Sequence, residues 1–357
     1  MTNVAISSPL DTRAAELSEQ FAAWRAQNPR GYLRNAASEL GVSELELLVA
    51  TGGSDVRALR TDDIPGLLGT IAAWGELRTM TRNDHAVLEQ TGHYENLAFF
   101  GPAMGQTVGS IDMRIFARHW LHAYAVVTPG KSAPRYSVQF FDAHGMSIHK
   151  VFTSDETAYR SLCAQWVPQH PLAGLPAVEA AIPETPRPDS EVDVAELHRR
   201  WDALEDTHDF IGLLKRCAVT RMQALRLAGE SRVIPVNPEA LQLTLQQAAD
   251  AAENVMIFVG NRGLVQIYIG QIQRVVATSG WLNILDPKVD LHVRDGSISN
   301  AWVVTKPTRH GPVRSLECYG SCGETILQVF GKRTETDSTP PTMNAIFDSV
   351  LQHCRAG

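Results

Sequence analysis

The sequence predicts an α+β protein made of two similar repeats, each a large antiparallel β-sheet with flanking helices. Three observations predict it. First, residues 111–152 align without gaps on 289–330 at a constant offset of 178, about half of the 357 residues. Identities include Asp112/Asp290, Ala123/Ala301, Pro129/Pro307, Pro134/Pro312, Ser137/Ser315, Gly145/Gly323, Ile148/Ile326 and Val151-Phe152/Val329-Phe330. Conservative pairs lie between them: Met113/Leu291, Ile115/Val293, Tyr124/Trp302 and Phe141/Tyr319. Second, so long a period describes two large units and not a solenoid. Third, helical periodicity precedes a run of strand-like segments in each half, without the strand–helix alternation of a parallel sheet.

Taken in order, residues 12–50 read as helices. Arg34–Ala50 carries Leu40, Val42, Leu45, Leu47 and Leu48, with Gly52-Gly53 as a stop. Strands follow over 85–153: ENLAFFG (95–101), MRIFARHW (113–120), HAYAVV (122–127), YSVQFF (136–141) and MSIHKVF (146–152). Turns fall at Pro129-Gly130 and Asp142–Gly145. Pro168, Pro171, Pro176, Pro183, Pro186 and Pro188 then crowd one stretch that reads as an extended linker. The expected domains are therefore 1–165, a linker over 166–191, and 192–357. The second repeat opens on a helical pattern from Val192 to Arg216, followed by a helix from Pro238, behind an Asn237 cap, to Glu253. Strands resume at MIFVG (256–260), LVQIYIG (264–270), VDLHV (289–293), NAWVV (300–304), SLECYG (315–320) and ILQVFG (326–331). A tail with Pro340-Pro341 leads into a last helix, Met343–Cys354. GNRG at 260–263 reads as a turn; neither G-x-G-x-x-G nor a P-loop occurs.

Bulk properties narrow the function. Apolar residues make up 44% and charged residues 20%, an ordinary globular balance. A net charge of −7 gives no general reason to expect nucleic acid or an anionic membrane as partner. An anionic ligand therefore needs a local cluster of Lys and Arg. No apolar run is long enough for membrane insertion, and MTNVAISSPLDTRAAEL has neither the basic nor the apolar region of a secretory signal. Cys163, Cys217, Cys318, Cys322 and Cys354 are scattered and form no C-x-x-C pair, so no disulfide framework or zinc site is indicated and a cytoplasmic location is expected.

His208 stands out among candidate functional residues. Leu197, Trp201, Leu204, His208 and Ile211 are spaced 4, 3, 4 and 3 apart, which places them on one inward helical stripe. A histidine so placed is most often a satisfied core residue. Its flanks, Asp206-Thr207 and Asp209-Phe210, could instead end or bend the helix and expose the imidazole. His119 and His122 lie three apart in a strand-like stretch and so face opposite ways, which disfavours a zinc pair. His85, in NDHAVLE, reads as a surface or capping residue on a helix. Lys306, Gln328, Phe330 and Arg333 cluster near the ends of the last strands, and Arg221 lies thirteen residues beyond His208. These are either solvated edge charges, the commoner fate, or a rim for a dianionic ligand with Arg as a bidentate fork.

Longer blocks carry a family resemblance: NPRGYLRNAASELGVSELELL, HYENLAFFG, QFFDAHGMSIHKVF, WDALEDTHDFIGLLKR, FVGNRGLVQIYIG, WLNILDPKVDLHVR, NAWVVTKPT and QVFGKR. Together they make the chain similar, over nearly its whole length, to the haemin-degrading, haemin-transport family of bacterial cytoplasmic haem-uptake proteins (HemS/ChuS type). The resemblance implies two similar halves, with one haem in a cleft of the C-terminal half and His208 as the proximal iron ligand. It implies that Arg221, Lys306, Gln328 and Arg333 contact the haem edge, its propionates or the distal side. Arg114 and Phe116 then line the opposite wall, so that 1–165 serves as cleft wall and 192–357 carries the ligand helix. Phe330 stands where some members have Tyr, which removes a hydroxyl. Haem needs an imidazole, apolar contact and cationic partners for its carboxylates, and these residues supply all three. Neither Cys-Pro nor C-x-x-C-H occurs, which disfavours thiolate ligation and covalent attachment. Gly31 falls opposite His208 at a similar offset, so the first half lacks an equivalent imidazole there; a haem contact at His85 stays open.

The implied function is haem binding within an uptake system, followed by delivery or by oxidative degradation that releases iron. Degradation would draw on O2 and an external reductase, with Arg221 as the distal candidate. The alternative is a non-enzymatic chaperone or store that hands haem to a separate haem oxygenase. A homodimer is compatible with either. A third reading, a structural or regulatory module for protein or DNA, is disfavoured for DNA by the acidic balance.

Overall fold

The computed structural model describes residues 9–170, 174–180, 185–278, 280–334 and 336–356. Pro171 and Pro183 of the expected linker, and the first eight residues of the start judged above, lie outside the described residues.

Three helices open the chain: α1 (Pro9–Gln27), α2 (Leu33–Leu40) and α3 (Glu44–Gly52). The apolar pattern over Arg34–Ala50 is thus two helices and not one. Gly41, at φ 67°, turns the chain out of α2, a left-handed conformation that costs glycine nothing. Ser43 restarts it with a capping box: its Oγ accepts from the Glu46 amide at 3.1 Å, and Glu46 Oε2 accepts from the Ser43 amide at 2.9 Å.

The rest of the first half is β1 (Val56–Leu59), α4 (Ile64–Ala72), β2 (Leu77–Arg82), β3 (Ala86–Gly92), β4 (Ala98–Phe100), β5 (Met104–Thr107) and β6 (Asp112–Phe116). Next come β7 (His122–Thr128), β8 (Arg135–Phe141), β9 (Ser147–Thr153) and α5 (Glu156–Trp166). The second half opens with α6 (Val194–Asp202), α7 (Asp209–Cys217), α8 (Arg221–Leu227), β10 (Val233–Val236) and α9 (Ala240–Asp250). It continues with β11 (Asn254–Gly260), β12 (Leu264–Gln271), β13 (Val275–Thr278), β14 (Trp281–Asp286) and β15 (Val289–Arg294). It closes with β16 (Asn300–Lys306), β17 (Val313–Tyr319), β18 (Thr325–Gly331) and α10 (Pro341–Cys354).

The chain forms two compact units: Met1–Thr81 with Thr91–Ile182 and Asn261–Leu264, and Arg82–Gln90 with Pro183–Gly260 and Val265–Gly357. In the first, β1-β7-β8-β9-β2 form an antiparallel sheet and β4-β5-β6 a ribbon. Leu67, Leu68 and Ile71 of α4 and Tyr159 and Leu162 of α5 pack on Val138, Phe140 and Val151. In the second, the order is β10-β16-β17-β18-β11-β12, with β3-β15-β14-β13 as a further antiparallel run. Its sheet is covered on both faces. Leu241 and Leu245 of α9 and Phe347 and Val350 of α10 meet Val303, Leu316, Leu327 and Val329. Leu197, Trp201, Phe210 and Leu213 of α6 and α7 meet Trp302, Val304 and Tyr319. The duplication is visible strand by strand: β7, β8 and β9 recur 178 residues later as β16, β17 and β18. Even the register shift recurs, at Phe140/Phe141 and at Cys318/Tyr319.

One buried histidine in the first unit carries a pH prediction. His149 Nδ1 meets Thr81 Oγ1 at 2.8 Å and Nε2 meets the Tyr94 hydroxyl at 2.6 Å. Burial pushes its pKa down to about 3. The folded state therefore keeps the ring neutral while the unfolded chain takes up a proton below its ordinary value near ~6.5. Stability is expected to fall as pH drops from there towards about 3, by at most ~1.4 kcal/mol per pH unit. Thermal melts across this range check it: His149→Asn should flatten the profile, and an unchanged slope would refute the assignment.

Candidate functional site

The helical pattern over Val192–Arg216 breaks. α6 ends at Asp202 and α7 begins at Asp209. Leu197, Trp201 and Leu204 are buried as their spacing requires. The stripe stops there: the His208 side chain is 70% exposed, and Ile211, expected to point inward, is 57% exposed. The cause is Asp206. Its Oδ1 accepts from the His208 amide at 2.8 Å and meets His208 Nδ1 at 2.7 Å, a side-chain turn that competes with continued helix. A carboxylate can only accept, so Nδ1 carries the proton, and in the neutral ring Nε2 is the nitrogen left to bind a metal. The amide of His208 holds the Asp206 carboxyl below its usual range, against a smaller opposing effect of burial. Arg333 braces the same turn, donating from Nη2 to Thr207 Oγ1 at 2.9 Å.

Behind this turn lies a charge cluster centred on Glu317, a residue for which sequence reasoning assigned no role. Lys306 of β16, Glu317 of β17 and Gln328 of β18 share the face of the sheet covered by α6 and α7. Trp302 pairs with Glu317, Glu317 with Gln328, and Gln328 with Phe258 in one cross-strand row. Glu317 is fully buried. Arg221 donates to it from Nε and Nη2, both at 2.9 Å, and Lys306 Nζ at 2.8 Å. The Tyr319 hydroxyl at 2.6 Å, Gln328 Nε2 at 2.9 Å and Ser315 Oγ at 3.2 Å complete the shell. The Phe210 ring caps both cations, 5.0 Å from the Arg221 guanidinium carbon and 4.7 Å from Lys306 Nζ. Burial opposes ionisation of Glu317, but Arg221 and Lys306 outweigh it and hold the carboxyl well below its usual range. Lys306 is brought down to about 8 by burial, with Arg221 adding to the effect and Glu317 resisting it.

Three of the expected contact residues, Arg221, Lys306 and Gln328, thus converge, but on a carboxylate of the protein itself. Lys306 is buried, whereas the Arg221 side chain keeps 26% exposure. Phe330 packs edge-on against Phe258 at 5.1 Å. Arg114 and Phe116 belong to the first unit, on β6. Arg114 is ion-paired with Asp112, and Phe116 extends a cross-strand row with Met104 and the exposed Phe100.

Other expectations need correction. His85 lies in the turn between β2 and β3 and not on a helix. Asn83 Oδ1 accepts from the amides of His85 and Ala86, which steers the chain into a strand. Its Nε2 is engaged by Glu324 at 2.7 Å. His119 ends a short 3-10 turn after β6 and His122 opens β7. No group of three or more His, Cys, Asp or Glu side chains suited to a metal occurs among the described residues. At Gly31 a Cβ would meet the Trp24 ring at 2.1 Å.

The structure is a duplicated α+β fold that carries a carboxylate-paired imidazole and two cations gathered on one buried carboxylate. The chain matches the haemin-degrading HemS/ChuX domain over residues 41–166 and 218–351, and it belongs to that family. It is 35% identical over 326 residues to the hemin transport protein HmuS of Yersinia pestis, covering 90% of this chain and 93% of that one. Against the hemin transport protein HemS of Yersinia enterocolitica the identity is 36%, covering 89% and 92%. Among solved structures it is similar to holo-PhuS, a heme-binding protein from Pseudomonas aeruginosa, with TM-score 0.90, 33% identity and coverage of 94% and 99%. It is also similar to the heme-degrading enzyme ChuS of Escherichia coli O157:H7, with TM-score 0.85, 32% identity and the same coverage. No helix among the described residues is long and apolar enough to cross a membrane.

Proposed function

We propose that the chain binds one haem through Nε2 of His208 and carries it within a bacterial haem-uptake system, in the cytoplasm. The observation that carries the reading is the Asp206–His208 pair: a carboxylate fixes tautomer and ring direction, as second-shell carboxylates do for metal-bound imidazoles. The residues nearby fit the group. Exposed Ile211, on the turn after His208, offers apolar surface, and Arg221 and Arg333 offer guanidinium for carboxylates. Bound haem would supply the iron that accepts the imidazole, the flat apolar ring and two carboxylates. The assignment of ligand binding to 192–357 is part of this proposal.

We take delivery to a separate haem oxygenase as the function and degradation as its rival. The Arg221 guanidinium is fixed by two hydrogen bonds to Glu317 and one to the Tyr319 hydroxyl, and serves as an anchored charge for a ligand carboxylate. Degradation would require electrons from a separate reductase and protons from water. The handover partner in the favoured case is a haem oxygenase. The test is to supply haem-loaded protein with a reductase and catalase and follow the haem spectrum. Intact haem under catalase is the expected result; sustained ring opening would establish degradation instead.

A further inference from the structure

We propose that Glu317 is a positioning residue for the anionic edge of the ligand: it fixes Arg221 and Lys306 so that one guanidinium edge and one excess positive charge are left for a ligand carboxylate. The proposal rests on the haem reading above. Glu317 occupies Nε and Nη2 of Arg221 and leaves the Nη1 edge outside the pair, on a side chain still partly exposed. Two cations share one carboxylate, so the cluster keeps a net positive charge.

The first repeat shows that the strand does not need this carboxylate to fold. Its residue 178 positions earlier is Gln139, also buried, donating to Ser137 Oγ at 3.2 Å, where Ser137 is the counterpart of Ser315. The neighbouring register shift is retained. At the same offset Lys306 is replaced by Thr128. A neutral amide therefore satisfies the same strand where this cation is missing. Every group facing Glu317 fits the assignment: Arg221 from α8, Lys306 from β16, Gln328 from β18, Ser315 and Tyr319 from its own strand, and uncharged Phe210 from α7. Arg333 adds positive potential at Lys306, and burial keeps the adjacent Cys318 thiol protonated.

Glu317→Gln tests it, with haemin and haemin dimethyl ester as paired probes. If Glu317 acts through ligand carboxylates, the variant binds haemin about tenfold more weakly but binds the ester as the parent protein does. Glu317→Asp, which keeps the charge, should recover part of the haemin affinity. In the ligand-free variant the Lys306 ammonium, followed by NMR, should lose its proton at lower pH than in the parent protein. Unchanged or tighter haemin binding, an unshifted Lys306, or equal loss of both probes together with a lowered melting temperature would overturn the proposal. Should Glu317→Gln fail to fold, Glu317→Asp with unimpaired haemin binding would overturn it. A parent protein that binds neither probe refutes the haem reading itself, and this inference with it.

Discussion

Replacing His208 with alanine is expected to weaken haemin binding on the order of 100-fold, because the loss removes an iron ligand and not merely its orienting partner. The ligand-free protein should melt as before. The side chain is 70% exposed, the alanine amide can still donate to Asp206, and surface changes of this kind shift stability by about 0.5 kcal/mol or less. Optical titration with haemin, run beside a thermal melt, separates the two effects. Asp206→Asn provides the graded control: it removes the orienting charge and should cost roughly 10-fold in affinity. A His208→Ala protein that titrates like the parent would remove His208 from the site.

Arg221→Ala is expected to give the largest loss of stability at the site, about 3 kcal/mol. The change strips a fully buried carboxylate of its bidentate partner and leaves Lys306 as its remaining cation in the shell. An uncompensated buried charge costs far more than a broken surface pair, whose worth is about 0–1 kcal/mol. The surviving Lys306–Glu317 bond and the hydroxyl donors place the figure at the low end of the buried range. The sign of a second effect is fixed as well. Arg221 depresses the Lys306 pKa, so its removal should raise that value above about 8, opposite to Glu317→Gln. Chemical denaturation with NMR of Lys306 measures both. A loss below ~1 kcal/mol would mean that the pair behaves as a solvated one.

The duplicated α+β fold was legible because strand alternation and the 178-residue offset are local or long-period patterns that survive in one dimension. What failed did so for physical reasons. The break before α7 was hidden because Leu197, Trp201 and Leu204 keep helical spacing up to the point where the Asp206 side chain captures the backbone. At His85 the same device, run by Asn83, turned an apparent helix into a strand entry. Asn237 does not cap α9. Its own amide goes to the Cys354 carbonyl, and the helix starts after the turn at Pro238-Glu239. Segments such as α4, β1, β2 and β14 were not singled out, since their burial is decided by neighbours distant in sequence.

The site divides the same way. His208, Arg221, Lys306 and Gln328 were named because histidine, cations and amides advertise their chemistry. Glu317 was not, because a carboxylate inside a strand declares itself only through its partners, one of them 96 residues away. A signal was present: in SLECYG, Ser315, Glu317 and Tyr319 alternate as three polar groups on one face of an otherwise apolar strand. A charge at an inward position of such a strand requires a counter-charge, and the basic residues already identified were the candidates.

The most direct test of the central claim is a crystal structure of the protein with haemin bound. The expected result is iron bonded to Nε2 of His208, with Nδ1 still held by Asp206 and a haem carboxylate on Arg221. Iron held by His85 or by any other side chain, with His208 free in solvent, would contradict it.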